Sequence, residues 1–148
     1  MNINCFICKR IEKIKKGNNS YFVKELKSGY VVMADYQFYK GYTLFLSKSH
    51  ARELHELKDR EIFLNEMAIV SEAVYKVFKP NKLNYELLGN TDFHLHWHII
   101  PRYLDDPNPK LPIWVINKRI RCTKNTKPSE AEMLNYKNVL LQEINKLI

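Results

Sequence analysis

The stretch His94-Leu95-His96-Trp97-His98-Ile99-Ile100-Pro101-Arg102 alternates a histidine with an apolar residue three times in succession. In an extended chain, successive side chains point to opposite faces. The three histidines therefore share one face, and Leu95, Trp97 and Ile99 share the other. This is the pattern of a strand with one face in a core and one face equipped for chemistry. With five histidines in 148 residues, such a triple arises by chance in roughly 0.6% of random arrangements. The strand therefore sets both the fold and the function to be expected.

Working outward, residues 83–88 read as a second strand, joined to the histidine strand at 93–100 through the Gly89-Asn90 turn. Three more extended segments, rich in Tyr, Val, Phe and Thr, are expected at 21–26, 30–34 and 42–46, with a hairpin turn at Ser28-Gly29. Residues 59–78 carry Ile62, Phe63, Met67, Val70, Val74 and Val77 at helical spacing and stop before Pro80. The lysine-rich piece 13–19 reads as the end of a short helix and a turn. Four prolines between Pro101 and Pro112 break regular structure there. Ser129 with Glu132 forms a capping box that opens a last amphipathic helix to about residue 147. The expected class is α+β: a mainly antiparallel sheet with one long central helix and a C-terminal helix. A single domain over 1–148 is expected, with a core at about 4–115 and the last helix as an extension.

Composition narrows the chemistry. The only glycines are Gly17, Gly29, Gly41 and Gly89, no two closer than twelve residues. A dinucleotide-binding turn and a Walker loop both need clustered glycines, so phosphate would have to be held by side chains or a helix terminus. The formal charge is +8, from 24 basic and 16 acidic residues. It divides as 9 basic against 3 acidic over residues 1–50, 6 against 8 over 51–100 and 9 against 5 over 101–148. Such a balance suits anionic partners, and solubility alone would also account for it. No run of 18 apolar residues occurs, so no membrane partner is expected. No signal peptide is expected, and three cysteines (Cys5, Cys8, Cys122) do not make a disulfide framework. The default location is the cytoplasm.

Two chemistries suit the histidine face. Imidazole binds metal, but same-face neighbours in a strand stand about 6.7 Å apart and His94 and His98 about 13 Å. At most an adjacent pair can share an ion, which leaves a histidine for another task. The second chemistry is phosphoryl transfer, in which a neutral imidazole nitrogen attacks phosphorus and neighbouring donors hold the oxygens. Cys5-Phe6-Ile7-Cys8 has the spacing of half a zinc site, with a redox pair as the rival reading. No βαβ unit follows it to support the redox reading.

His94–Ile100 resembles the signature of the histidine triad (HIT) superfamily, His-φ-His-φ-His-φ-φ with φ apolar. The resemblance covers roughly residues 4–115. Gly41-Tyr42-Thr43-Leu44-Phe45-Leu46-Ser47-Lys48-Ser49-His50 is similar to the strand and Pro-Lys-x-His turn of that family. Leu83–Asn90, Asp106-Pro107 and Pro112-Ile113-Trp114 resemble bacterial members related to dinucleoside polyphosphate hydrolases and nucleoside phosphoramidases.

The resemblance implies a nucleotide hydrolase or transferase acting on the α-phosphate of nucleotide conjugates. His96 would be the nucleophile, with its Nδ1–H held by a backbone carbonyl, and His98 would hydrogen-bond phosphate oxygens. Asp35 matches the position that holds ribose hydroxyls. Asn90 or Thr91 falls where members contact phosphate, although the loop before His94 is shorter here than in many of them. Arg102 suits either a phosphate contact or a surface charge. The resemblance also implies a structural Zn2+ held by Cys5, Cys8, His50 and His94. It implies a homodimer with a small nucleotide as substrate. His55 and Cys122 are expected to be structural.

Two readings of other classes stand beside it. One is a metal-dependent hydrolase in which His94 and His96 share a catalytic ion. The other is a zinc-stabilised nucleic-acid-binding module. The cysteine-to-histidine spacings are too long for a C2H2 finger, and no aromatic RNA-stacking motif is present, so nucleic acid is not the expected partner.

Overall fold

The computed structural model describes residues 4–148, and residues 1–3 of the expected domain lie outside them. Its centre is a five-stranded sheet of β1 (Phe22–Glu25), β2 (Gly29–Met33), β3 (Thr43–Ser47), β4 (Lys82–Glu86) and β5 (His96–Arg102). The strand order is β1-β2-β3-β5-β4, and every neighbouring pair is antiparallel. The histidine strand therefore lies inside the sheet, between β3 and β4.

Alternation divides the sheet into two faces. Val31, Met33, Phe45, Leu95 and Ile99 pack beneath α2 (Arg60–Phe78) and α4 (Glu130–Leu147) in the larger core. Phe45 stacks on Phe63 of α2 with ring centroids 5.0 Å apart; truncating such a ring costs about 3–5 kcal/mol. On the opposite face Tyr30, Val32, Leu44 and Leu46 bury Ile7, Ile11 and Ile14 of α1 (Phe6–Lys15). This is the face on which the histidines lie.

The class and the order of the main elements follow the sequence pattern, with shifts that have physical causes. Three residues of the expected histidine strand, Phe93, His94 and Leu95, precede β5. At its other end β5 runs through Pro101 to Arg102 instead of stopping at Ile100. The amide of Asn81 donates to the Arg102 carbonyl, so Arg102 faces β4 and Pro101 faces the β3 side. The β3 pairing has already ended there, at Thr43 opposite Ile99. Proline's missing N–H thus breaks no ladder bond.

Helix α2 buries Phe63, Val70 and Val74 as its spacing predicts, and also Glu66. The Glu66 carboxylate accepts the amides of Lys27 (2.8 Å) and Ser28 (2.9 Å) and the Ser28 hydroxyl. It thereby satisfies the donors of the β1–β2 turn. Gly41, with φ 90°, has its Cα against the Phe78 ring, where a Cβ would lie 2.4 Å from Cγ. The capping box at Ser129 opens α4 as expected. Between β5 and α4, the one-turn helices Ile113–Val115 and Lys124–Thr126 and the four-residue α3 (Lys118–Arg121) are too short to show a period.

Candidate active site and candidate metal centre

Cys5 is the N-cap of α1, and its Sγ accepts the Cys8 amide at 3.4 Å. A two-residue spacing at a helix start turns both sulfurs to one side. His50 lies just past the end of β3, and His94 just before β5. Antiparallel pairing brings the two together, since the Ser47 amide bonds the Leu95 carbonyl at 3.0 Å.

The four donor atoms of Cys5, Cys8, His50 and His94 all lie within 4.8 Å of one another. His94 Nδ1 is 3.6 Å from Cys5 Sγ, 3.5 Å from Cys8 Sγ and 3.2 Å from His50 Nδ1, and Cys8 Sγ is 3.3 Å from His50 Nδ1. Four ligands at ordinary zinc bond lengths on tetrahedral corners would be separated by about 3.5 Å for sulfur–nitrogen and about 3.3 Å for nitrogen–nitrogen. The donor set fits such an ion in type, number and spacing. His94 Nε2 lies 2.9 Å from the Ser47 carbonyl. A carbonyl only accepts, so Nε2 carries the proton and the bare Nδ1 faces the cluster. Burial is the main cause that pushes the Cys5 thiol up and the His94 imidazole down. A divalent cation would reverse the first of these effects.

His96 faces elsewhere. Its Nδ1 lies 2.6 Å from the His94 carbonyl oxygen, which assigns that nitrogen the proton and leaves Nε2 with its lone pair. Its ring centroid is 4.8 Å from that of His98. His98 is enclosed by Tyr42, whose hydroxyl is 2.5 Å from His98 Nδ1, and by Trp114, edge-on with centroids 5.7 Å apart. Burial first, and then the neighbouring His96, lower the His98 pKa to about 3. Burial also pushes the Tyr42 hydroxyl well above its ordinary value. A neutral imidazole beside a protonated phenol lets the hydroxyl donate to Nδ1, which puts the His98 proton on Nε2. His96 and His98 together then offer one lone pair and one N–H donor.

His96 opens onto a cavity of about 360 Å³ shared with Asn90, Gly89, Phe93, Arg52 and His55. Arg52 lies over the Phe93 ring at 4.4 Å. Asn90 is therefore brought to His96, and so is His55, which sits on the one-turn helix Leu54–Glu56. Thr91 is exposed on the adjoining loop. Asp35, in the bend after β2, lines a separate cavity with Phe6, Lys9 and Lys13 and is ion-paired with Arg10.

Arg102 is buried and contacts Asp106 (2.9 Å), Asn84 (2.9 Å) and the Leu111 carbonyl (2.7 Å). It is committed to holding the proline-rich loop. Sequence reading did not single out Tyr42 or the packing of Trp114 on His98. The signal for Tyr42 lay in the β3–β5 register: Leu44 is opposite His98, and Tyr42 is two residues away on the same face.

A family model of the HIT domain matches residues 15–105, more than half of the chain, and the chain belongs to this family. Protein hit of Bacillus subtilis (strain 168) is 34% identical over 74 residues, 45% of this chain and 51% of that protein. The chain thus spans about half the length of that curated relative. Three solved structures share the fold. A histidine triad protein from Bradyrhizobium japonicum superposes with a TM-score of 0.73 at 23% identity, over 89% of this chain and 94% of the other. A Zn-bound histidine triad family protein from Mycobacterium smegmatis gives 0.66 at 20% identity, over 98% and 96%. The diadenosine triphosphate hydrolase of Plasmodium falciparum, in complex with cyclomarin A, gives 0.60 at 18% identity, over 86% and 78%.

Proposed function

We propose that this chain is a nucleotide hydrolase or transferase that acts on the α-phosphate of nucleotide conjugates, dinucleoside polyphosphates or nucleoside phosphoramidates, through a nucleotidyl group carried on His96. The observation that carries the reading is the 2.6 Å contact between His96 Nδ1 and the His94 carbonyl. It gives the nucleophile a fixed ring and an unprotonated Nε2 on the open side. Nε2 attacks the α-phosphorus and forms a P–N bond as the bond to the leaving group breaks. The leaving group departs with that electron pair and takes up a proton. Water then attacks the same phosphorus, the P–N bond breaks, and nucleoside monophosphate leaves with His96 neutral again. His98 Nε2–H donates to phosphate oxygens as negative charge gathers on them.

Asn90, or Thr91 beside it, contributes to phosphate binding in this reading; the family resemblance assigns Asp35 to ribose binding, which requires it to leave Arg10 and its separate cavity to open toward His96. Cys5, Cys8, His50 and His94 are the proposed zinc ligands. Four protein donors leave no open coordination position, so the ion's contribution is structural: it neutralises the thiolates and ties α1 to the turns before β5 and after β3. The Zn-bound relative agrees with this assignment, and the hydrolase relative agrees with a dinucleoside polyphosphate substrate. A homodimer in the cytoplasm completes the reading. Among the described residues no helix is long and apolar enough to cross a membrane.

The test is turnover of adenosine phosphoramidate and diadenosine polyphosphates by the wild-type chain, His96→Ala and His96→Asn. Both variants should lose activity with their fold intact, and full activity in either would remove the nucleophile assignment.

A further inference from the structure

Beyond His98 the active-site face continues into a second feature. The Trp114 ring packs edge-on to His98 at 5.7 Å, and the guanidinium of Arg121 lies over that indole, with Cζ 5.0 Å from its centroid. Trp114 is fixed at its other edge by an Nε1–H bond to Glu86 (2.5 Å). Arg121 is fixed by Nε–H donating to the Ile116 carbonyl (2.8 Å). Among the described residues its two terminal nitrogens have no protein acceptor, and no carboxylate lies within ion-pair distance of it. Arg121 is nevertheless half-buried. Its charge reaches the site, since Arg121 lowers and Glu86 raises the affinity of the Tyr42 hydroxyl for its proton.

The segment that carries Arg121 has no acidic residue between Asp106 and Glu130, but six basic ones: Lys110, Lys118, Arg119, Arg121, Lys124 and Lys127. It is held in place. Thr126 donates its hydroxyl to the Arg121 carbonyl (2.9 Å), and the Thr126 carbonyl accepts the Gln37 amide (2.7 Å). A planar, pre-oriented guanidinium with free forked donors, partly removed from water and lacking an anion, matches a phosphate group. The uninterrupted positive charge around it matches more than one.

We propose that Arg121, seated on Trp114, is the subsite for the outlying phosphates of the leaving group, so that the site prefers conjugates whose leaving group is itself a phosphate chain over those that release an amine. This rests on the nucleotide-conjugate reading above and names the substrate class within it. Lys118, Arg119 and Lys124 add field around the subsite, and the contact itself belongs to Arg121.

The experiment compares the wild-type full chain with Arg121→Ala and Arg121→Lys. Calorimetry should show that inorganic tripolyphosphate binds the wild type, and that Arg121→Ala weakens it about tenfold, with Arg121→Lys in between. In kinetics, Arg121→Ala should lower kcat/KM for diadenosine tetraphosphate by about tenfold and for adenosine phosphoramidate by less than about threefold. Equal losses on both substrates, or equal tripolyphosphate binding by wild type and Arg121→Ala, would overturn the subsite. So would no binding to the wild type. If neither substrate is turned over by the wild type, the parent reading fails, and the tripolyphosphate measurement still decides the subsite.

Discussion

The backbone carbonyl of His94 receives the Nδ1 proton of His96 at 2.6 Å, while the His94 ring donates from Nε2 to Ser47 and turns Nδ1 toward two cysteines and His50. One residue thus belongs to two assemblies. Its side chain faces the candidate metal donors, and its main chain sets the orientation of the candidate nucleophile. Loosening the donor cluster should therefore be felt at His96 without any direct contact between His96 and a metal.

Metal removal is the first consequence. The purified chain should contain about one zinc per molecule, and chelation or Cys5→Ser should lower the melting temperature by about 10 °C or more. Turnover should fall with loss of order around His94 and should return when zinc is restored. Well under half an equivalent of zinc in protein prepared without chelator, with no change in melting on chelation, would contradict the assignment.

The Tyr42 hydroxyl bonds His98 Nδ1. Tyr42→Phe removes that donor and frees His98 to move its proton to Nδ1. Turnover should drop about tenfold with little change in KM. The 15N shifts of His98 should move from a single Nε2–H tautomer to a mixture. Unchanged shifts in the variant would separate Tyr42 from the tautomer.

Acid sensitivity follows from His98. Burial and His96 hold its folded pKa at about 3, well below the ordinary imidazole value of 6.5. Below pH 6.5 the unfolded chain takes up a proton that the folded chain refuses, so stability falls as pH drops from 6.5 toward 3 and is unaffected above that window. His98→Asn should flatten this part of the stability–pH curve relative to the wild type. By NMR, the His98 ring should stay neutral at pH 5; titration near its ordinary value would contradict the burial argument.

Glu66 predicts a stability effect remote from the site. Its carboxylate takes three donors from the turn between β1 and β2. Glu66→Gln keeps the shape and turns an acceptor pair into one acceptor and one donor. It should cost about 1–3 kcal/mol in denaturant unfolding and leave KM unchanged.

The sequence made the histidine strand legible because period-two alternation is local, and α2 and α4 legible because their apolar spacing and the Ser129 cap are local too. The donor cluster was not readable from spacing alone. Cys5 and Cys8 stand 89 and 86 positions from His94, and only the family resemblance joined them. Partners fixed by tertiary register escaped: Tyr42 reaches His98 across β3 and β5, and Trp114 reaches it from a one-turn helix with no period of its own. Glu66 sat on an apolar stripe without a sequence signal, because its partners are backbone amides on another element. Asp35 shows the same limit from the other side. Its place after β2 was readable, whereas its ion pair with Arg10 and its separate cavity depend on how α1 docks.

The central claim is the covalent step on His96, and rapid quenching followed by peptide mass spectrometry tests it most directly. Wild-type chain mixed with diadenosine tetraphosphate should yield one adenylyl group on the peptide containing His96, formed and lost at rates compatible with turnover and absent in His96→Asn. Steady turnover with no adenylyl group on His96, or hydrolysis by His96→Asn at the wild-type rate, would contradict it.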